Sequence, residues 1–260
     1  MTTSGKSAGQ RWRADAPPAT AVTVDVIALT VRSERLEVLL VRRAEEPHRS
    51  TWSLPGGFVR PTEDLPDAAA RQLADKAGIS DLAAHLEQLG TYGAPDRDPR
   101  GRVITVAYLA FAPACGLPRP AHGVAGVSWC AVSEFGLDDP PASRRPDAPR
   151  LAFDHEAILA AGVERARAKL EYSALGTAFC TEPFTAADLR RVYEAVWAVP
   201  LDPRNFWRKV SSTPGLLVPV PGLSVPGLTG GRPAGRFRRG SATMLHPPIL
   251  RPHRPDTGPA

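Results

Sequence analysis

Short apolar runs follow one another along the first half of the chain, whereas helical spacing of apolar residues dominates the second half. Residues 22–31 and 36–43 are rich in β-branched and aliphatic side chains and are separated by four polar residues, which predicts two neighbouring strands joined by a short turn. Further extended segments are predicted at residues 52–59, 89–93, 102–111 and 127–132. Strands interleaved with a few helices predict an α/β sandwich of about 130 residues.

One helix of the first half has clear signals at both ends. Asp64 is a good N-cap, because its carboxylate can accept a hydrogen bond from a free N–H of the first turn, and Pro66 suits that turn. Gly78 suits the left-handed conformation that often ends a helix. The predicted helix therefore begins just after Asp64 and ends near Gly78.

The second half is predicted to contain three helices. The first spans residues 155–172, and the second begins after Thr185, which forms a T-x-x-D capping box with Asp188. The third begins at Pro203, behind the N-cap Asp202. Apolar residues of the last two helices are expected to point inward, namely Leu189, Val192, Tyr193, Val196, Trp197, Phe206 and Val210.

Two short segments near the C-terminus are expected to pair as a β-hairpin behind the third helix. They span residues 216–218 and 235–239, and they place Phe237 inward with Arg236 and Arg238 outward. The intervening residues 219–231 are rich in Pro and Gly, which predicts a mobile hairpin tip.

Composition divides the chain into four parts. Residues 1–19 lack an apolar core segment and are interpreted as a disordered leader, and residues 244–260 as a Pro-rich tail. Between them we predict an α/β domain over residues 20–150 and a smaller helical domain over residues 151–243. No apolar run reaches the roughly 18 residues that a membrane span needs. Three scattered cysteines favour a reducing cytoplasm over a disulfide framework or a zinc site.

Charge is distributed unevenly along the chain. Residues 165–260 carry a net charge of +8, whereas residues 1–164 carry a net charge of −3. This asymmetry suggests that only the second half meets a polyanion. Basic tails are also common in Arg-rich chains, so charge alone does not identify a nucleic-acid partner.

The segment from Gly57 to Ile79 has the spacing G-x5-E-x7-R-E-U-x-E-E-x-G-U, in which U is apolar. It resembles a Nudix box, the metal- and pyrophosphate-binding signature of Nudix proteins. Three carboxylate positions of that signature instead hold Gln72, Asp75 and Lys76, which share one helix face at i, i+3 and i+4. Because Mg²⁺ requires several oxygen ligands, this face is expected to hold a metal ion poorly.

The box residues leave several interpretations open. No catalytic residue is expected, and Glu63 and Asp75 are the residual candidates for holding Mg²⁺ or Mn²⁺ in slow hydrolysis. Glu63 can equally have a structural role at a helix N-terminus. Lys76 either neutralises a bound phosphate or lies on a solvated helix face. Arg71 pairs with Glu63 or Asp75, or reaches the phosphates. We therefore expect neither a metal site nor a required cofactor.

A polar loop at residues 93–102 adds candidate ligand contacts. It carries Arg and Asp side chains, which suit phosphates and ribose hydroxyls respectively, although an ordinary polar hairpin has the same composition. At the end of the second strand, Arg43 is preferred over Arg42, because strand alternation sends only one of them toward the site. The predicted ligand contacts are Arg43, Gly56, Gly57, Phe58, Arg71, Lys76, Arg97 and Arg100.

The last two helices match a helix-turn-helix, and the following hairpin matches a β-wing. Arg, Asn and Lys side chains can read bases or contact phosphates, and they crowd the outer face of the third helix. The alternative is a helical appendage with a solvated basic face. The agreement of helix pair, short turn, hairpin and local charge favours DNA binding by Arg204, Asn205, Arg208, Lys209, Ser211, Arg236 and Arg238.

Residues 38–43 and 54–57, together with the box, resemble Nudix proteins that act on ADP-ribose-like compounds. The whole chain is similar to the Nudix-related transcriptional regulators of NAD metabolism, known as the NrtR family. That resemblance rests on residues 170–180, 190–197, 203–210 and 231–239. It implies a Nudix α/β/α sandwich followed by a small winged helix-turn-helix domain, a homodimer, palindromic operators and an effector such as ADP-ribose or another NAD derivative.

The sequence therefore predicts a cytoplasmic DNA-binding regulator that represses genes of NAD biosynthesis or salvage. Its predicted partners are double-stranded DNA and an NAD-derived effector, and no association with a membrane is expected. The mechanism is a population shift between DNA-competent and DNA-incompetent states. The alternative is a Nudix hydrolase that cleaves ADP-ribose or another nucleoside diphosphate derivative with weak metal-dependent activity. The operator, the target genes, the effector and the sign of its effect stay open.

Overall fold

The computed structural model describes residues 19–79, 85–113, 118, 124–137, 150–225 and 234–252. Within these ranges, seven strands form one mixed sheet in the order β3-β2-β1-β6-β5, with β4 paired to β1 and β7 paired to β2. Strands β1 and β6 run parallel, and the other pairs are antiparallel. The strands are β1 Ala21–Arg32, β2 Arg35–Arg43, β3 Trp52–Ser53, β4 Gly56–Phe58, β5 His85–Tyr92, β6 Val103–Phe111 and β7 Val124–Ala131.

Strand β1 lies at the centre of the sheet and is buried on both faces. Val24, Val26 and Ala28 pack with the apolar face of helix α1, Leu65–Ala77. Ile27 and Leu29 point the other way, into the core that is shared with helix α2, His155–Tyr172. The alternation of side chains along a strand therefore builds the α/β sandwich that the sequence predicts.

Helix α1 has the predicted ends. The Asp64 carboxylate accepts a hydrogen bond from the Leu65 N–H at 2.7 Å, and Pro66 lies in the first turn. Gly78 ends the helix with φ 65°, in the left-handed region. The helix start and stop signals of this segment are thus confirmed.

Several strand boundaries differ from the sequence prediction. The single extended segment at residues 52–59 is two short strands, β3 and β4, because Pro55 lacks an N–H for a ladder and instead offers its carbonyl to the Val26 N–H at 2.8 Å. Strand β5 begins at His85, four residues earlier than expected. Strand β7 begins at Val124, and a 3-10 helix, Val132–Phe135, takes the last predicted strand residue.

The C-terminal part contains helices α3, Ala186–Trp197, and α4, Pro203–Ser212, beside a three-stranded sheet. The sheet has the order β8-β10-β9, formed by β8 Phe184–Thr185, β9 Leu217–Val225 and β10 Ala234–Arg239. The capping box at Thr185 is confirmed: its hydroxyl accepts from the Asp188 N–H at 3.1 Å, and its own N–H donates to the Asp188 carboxylate at 2.9 Å. Strand β8 was not predicted from the sequence.

Aromatic rings join α3 to α4. Tyr193 contacts Trp197 and Phe206 edge to face, with ring centroids 4.9 and 5.2 Å apart, and all three side chains are buried. The inward-pointing apolar face predicted for these helices is therefore confirmed. Asp202 caps α4 by accepting from the Asn205 N–H at 2.8 Å.

The predicted hairpin is present, with Arg238 opposite Val218 and Phe237 opposite Pro219. The expected mobile tip is wrong in part, because residues 219–225 continue strand β9 in pairing distance of β10. Residues 226–231, which complete the predicted tip, lie outside the described residues, as do the predicted leader up to residue 18 and the end of the predicted tail.

The segment after β10 turns back onto α2. Leu245 and Ile249 are 1% and 3% exposed within the main core, and their N–H groups donate to the carbonyls of Tyr172 and Glu171 at 2.9 Å each. Residues 244–252, which the sequence placed in a Pro-rich tail, are therefore packed structure. None of the described helices is long and apolar enough to cross a membrane.

Candidate functional site

A cavity of about 250 Å³ opens at one edge of the seven-stranded sheet. Its walls come from β1, β2, β4, the loop after β5, the last turn of α1 and the N-terminus of α2. Arg71 does not line it, but the other predicted ligand contacts do: Arg43, Gly56, Gly57, Phe58, Lys76, Arg97 and Arg100. Residues that are far apart in the sequence thus meet in one cavity.

The two glycines of the Leu-Pro-Gly-Gly segment bring backbone close to buried polar side chains. A Cβ atom at Gly56 would collide with the carboxylate of Asp25, and one at Gly57 would collide with the amide of Gln72. A larger residue at either position would therefore displace one of these two buried side chains.

The box residues Glu63, Arg71 and Asp75 form an ion-pair chain beside the cavity. Arg71 Nε donates to Glu63 at 2.8 Å, and its Nη1 reaches Asp75 at 3.4 Å. A second guanidinium nitrogen also binds Glu63, and it donates to the Phe58 carbonyl at 3.2 Å. The hydrogen bond from Arg71 lowers the pKa of Glu63 to about 2. Glu63 lies one residue before the N-cap of α1, so its role is to anchor Arg71 against the β4 backbone.

Gln72 is buried and forms hydrogen bonds to neighbouring residues of the fold. It is 5% exposed, and with its amide oriented to satisfy both neighbours it donates to the Gly56 carbonyl at 3.0 Å and accepts from Arg71 at 3.0 Å. A glutamate at this place has no N–H to donate to Gly56. Gln72 therefore holds the glycine segment, and it does not face the cavity with Lys76.

The donor set does not fit a divalent cation. Among the described residues, no three His, Cys, Asp or Glu side chains lie close enough together to hold a metal ion. Of the four box positions that matter, Glu63 is bound by Arg71, Gln72 is buried, Asp75 is half exposed and Lys76 carries a positive charge. The residues that a Nudix metal site requires are thus occupied otherwise or changed in charge.

A buried charge network forms the floor of the cavity. The Arg97 guanidinium binds Asp154 with two hydrogen bonds, at 2.9 and 2.7 Å, and its Nη2 lies 3.5 Å from the Asp25 carboxylate. The Arg97 side chain is only 4% exposed. Arg97 therefore lines the cavity as a paired residue that fixes Asp25 and joins the loop after β5 to the start of α2.

His155 completes this network from the first turn of α2. Its Nδ1 accepts a hydrogen bond from the Leu54 N–H at 2.9 Å, and its Nε2 lies 3.6 Å from the Asp25 carboxylate. Burial lowers the pKa of His155, so the imidazole is neutral with its proton on Nε2. The helix start is in this way tied to the segment that carries the two glycines.

Cations and aromatic rings line the mouth of the cavity. The guanidinium of Arg43 lies 4.8 Å from the Phe153 ring centroid, and that of Arg100 lies 5.4 Å from the Phe58 ring and 5.8 Å from Phe153. Asp98 pairs with Arg100 at 2.7 Å. Burial lowers the pKa of Arg43, and repulsion by the nearby Arg100 charge lowers it further. Because these two positive charges lie close together, the mouth of the cavity is favourable for an anion.

Phe153 also has an unusual backbone. Its φ of 57° lies in the left-handed region, which is rare for a bulky non-glycine residue and is found preferentially at functional sites. Phe58, which also lines the cavity, is 49% exposed. The two rings offer flat apolar surface for a planar ligand group next to the arginines.

Sequence reasoning missed several polar residues of the site. One signal was available: Asp25 is a lone carboxylate within an otherwise apolar strand run. Phe153, Asp154 and His155 lie just before and at the start of α2, more than 100 residues after Asp25, and nothing in the local sequence marks them as site residues. The missed residues are Thr23, Asp25, Asp154 and His155, together with the aromatic Phe153, whereas Asp98 belongs to the loop at residues 93–102 whose Asp side chains were proposed as candidate contacts without being named.

A second candidate site is the exposed face of α4. Phe206 and Val210 are buried, whereas Arg204, Asn205, Trp207, Arg208, Ser211 and Ser212 are exposed and Lys209 is half exposed. Glu194 holds the preceding turn by accepting from the Leu201 N–H at 2.9 Å. The structure thus brings the predicted residues of this helix together on one basic surface.

The predicted β10 arginines differ from each other. Arg238 is exposed as expected. Arg236 is half buried and donates to the Pro183 carbonyl at 2.8 Å, so it ties β10 to the β8 segment instead of facing outward freely. Arg239, which was not predicted, is exposed next to Arg238.

Comparison with known proteins matches the NUDIX domain family to residues 20–151. The chain is 31% identical over 196 residues to the ADPR responsive transcriptional repressor NtrR of Acinetobacter baylyi, covering 74% of this chain and 73% of that protein. It is 30% identical to Shewanella oneidensis NrtR in the crystal structure complexed with a 27mer DNA, with a TM-score of 0.69 over 85% of this chain and 98% of that chain.

The NUDIX domain of the same Shewanella protein, complexed with ADP ribose, is 30% identical with a TM-score of 0.51. That match covers 60% of this chain and 94% of the domain. The similarity therefore extends over both the sandwich with its cavity and the C-terminal helices. The chain belongs to the Nudix family and, within it, to the transcriptional regulators represented by NtrR and NrtR.

Proposed function

We propose that this chain is a ligand-sensing transcriptional regulator that binds ADP-ribose or a related NAD derivative in the sheet-edge cavity and DNA through its C-terminal part. One observation carries the proposal: helix α2 runs from a cation-lined cavity to helix α3, which packs against the exposed basic helix α4. One relative that covers most of the chain is named for a response to ADPR, and another was crystallised with DNA.

The C-terminal part is proposed to be a winged helix-turn-helix. Helix α4 acts as the recognition helix, with Arg204, Asn205 and Arg208 reaching base edges and Lys209 a phosphate. The β9–β10 hairpin is the wing, and Arg238 contacts the DNA backbone. The proposed domain boundaries are residues 20–150 and 151–243, with the packed segment 244–252 belonging to the second domain.

Helix α2 is proposed to couple the two sites. Its N-terminus supplies Asp154 and His155 to the cavity floor. About 18 Å further along, at 1.5 Å per residue, Arg167 donates to the Val196 carbonyl of α3 at 3.0 Å and accepts through its own carbonyl from the Trp197 indole at 3.1 Å. A ligand that shifts the start of α2 therefore shifts the helix on which α3 and α4 are mounted.

The regulator is proposed to act as a homodimer on palindromic operators near NAD biosynthesis or salvage genes, in the cytoplasm. It retains its ligand without cleaving it and requires no metal cofactor, because the box carboxylates are paired or replaced. Hydrolysis is the competing activity. Incubation with ADP-ribose and Mg²⁺ or Mn²⁺ separates the two, since AMP released at ordinary enzymatic rates would contradict a sensor.

The proposal is tested by a mobility shift on DNA from upstream of the protein's own gene, titrated with ADP-ribose, NAD and NADH. A shifted band whose amount changes with one of these compounds is expected. Absence of DNA binding under all conditions would contradict the proposed function.

A further inference from the structure

The cations of the cavity divide into two pairs. Arg97 is paired with Asp154 and Asp25, and Arg100 is paired with Asp98. The remaining cations are Arg43 and Lys76. Arg43 donates hydrogen bonds only to the backbone carbonyls of Pro47 and Glu45, at 2.7 and 3.5 Å. Within the described residues, Arg43 and Lys76 form no ion pair with a carboxylate. Two positive charges therefore face the cavity without a protein counter-charge in contact.

Lys76 has a defined position. It lies in the last turn of α1, one turn beyond the buried Gln72, and it is half buried at the cavity wall. Its ammonium lies on the helix that carries the metal-binding carboxylates in a complete Nudix box.

A third group also lacks a partner. The hydroxyl of Thr23 is buried, with the residue 7% exposed, and it has no hydrogen-bond partner within the described part of the chain. Thr23 lines the same cavity as Lys76. A buried hydroxyl is rarely left unsatisfied, so a ligand oxygen in the cavity is a suitable partner.

We propose that the Lys76 ammonium replaces the divalent cation of a Nudix site. Together with Arg43 it neutralises the two charges of the pyrophosphate of a nucleoside diphosphate sugar, and the Thr23 hydroxyl bonds a ligand oxygen. Binding of the effector is therefore independent of divalent metal. This inference rests on the proposed function and adds how the charge of the effector is compensated.

The test is calorimetric titration of the full chain with ADP-ribose, in excess EDTA and in Mg²⁺ or Mn²⁺. The affinity is expected to agree within about threefold among the three conditions. If ADP-ribose binds only with metal present, the inference is overturned and the proposed function stands. If ADP-ribose binds in none of them, the proposed function itself fails and the inference fails with it.

Variants of Lys76 sharpen the test. Lys76→Met removes the charge while keeping the stem, and a loss of affinity of at least tenfold is expected in EDTA. Lys76→Glu reverses the charge at this position, and its binding in EDTA is expected to be still weaker than that of Lys76→Met. Binding by either variant at the unmodified affinity in EDTA would overturn the role of Lys76.

Arg35→Glu is the matched control, since Arg35 is exposed at the β1–β2 turn, at the opposite end of β1 from the cavity. It makes the same change of charge as Lys76→Glu and is expected to leave ADP-ribose affinity within twofold. The thermal unfolding temperature of each variant checks that it is folded. An equal loss of affinity in Arg35→Glu would assign the effect to net charge and overturn the proposal.

Discussion

At the residue scale, His155 links the cavity to α2 as a neutral imidazole. Its pKa is about 6.5 in the unfolded chain and lower in the folded protein, so the unfolded state binds more protons below this value. The contribution to stability is therefore complete above about pH 6.5 and is lost as the pH falls through that value.

His155→Asn keeps an acceptor for the Leu54 N–H and removes the titration. The slope of the free energy of unfolding against pH, just below about pH 6.5, is expected to fall by up to about 1.4 kcal/mol per pH unit. Urea unfolding at a series of pH values measures it. An unchanged slope in the variant would show that His155 is not the group that titrates.

Some residues of the cavity could be identified from the sequence, and others could not. The degenerate box could be recognised because Gln72, Asp75 and Lys76 occupy fixed spacings from Gly57. The pairing of Arg97 with Asp154 could not, since the two are separated by 57 residues and only the closed fold brings them together. Local sequence also did not show that Gln72 supports the glycine segment, because an amide on a helix is compatible with either face.

At the element scale, α4 is an outward-facing basic helix held by buried Phe206 and Val210. The double variant Arg204→Ala with Arg208→Ala is expected to lower DNA affinity at least a hundredfold and to leave ADP-ribose affinity unchanged, because neither residue lines the cavity. Fluorescence anisotropy with labelled DNA measures this. Because both arginines are proposed to reach base edges and not phosphates, the slope of log affinity against log salt is expected to change by less than the roughly 0.9 of one lost phosphate contact.

The matched control for this double variant is Arg49→Ala with Arg60→Ala, which removes two exposed arginines from the sandwich. It is expected to bind DNA with nearly unmodified affinity. DNA binding that survives in the α4 variant, or is lost equally in the control, would contradict the assignment of α4 as the recognition helix.

The segment after β10 gives a stability prediction at the same scale. Leu245 is 1% exposed in the core beside α2, so Leu245→Ala is expected to lower the free energy of unfolding by about 2–4 kcal/mol. Exposed Leu250, in the same segment, is the control, and Leu250→Ala is expected to change it by less than about 0.5 kcal/mol. Equal small effects in both would contradict the packed position of residues 244–252.

Helices whose capping residues lie close together in the sequence were predicted well. Segments whose structure depends on contacts with distant parts of the chain were not. The N-caps of α1, α3 and α4 depend on side chains within three residues, and each was identified from the sequence. Strand β8 contains two residues and exists only because β10 lies beside it. Segment 244–252 has the composition of a Pro-rich tail, and its packed structure depends on contacts with α2 that the local sequence does not show.

At the scale of the whole molecule, α2 joins the cavity to α3. Asp154→Asn removes a charge from the Arg97 pair at the start of this helix while keeping the side-chain shape. We expect the variant to bind DNA alone normally but to respond less to ADP-ribose, with the ratio of DNA affinities with and without ligand falling toward 1. A ratio equal to that of the unmodified protein would contradict coupling through α2.

The central claim is that one chain binds an intact NAD-derived ligand and uses it to control DNA binding. The most direct measurement titrates ADP-ribose into the protein–DNA complex while anisotropy reports DNA binding and chromatography reports the ligand. We predict a change in DNA affinity of at least about fivefold, as in other coupled sites, with the ADP-ribose recovered uncleaved. Unchanged DNA affinity, with ADP-ribose converted to AMP, would contradict the account.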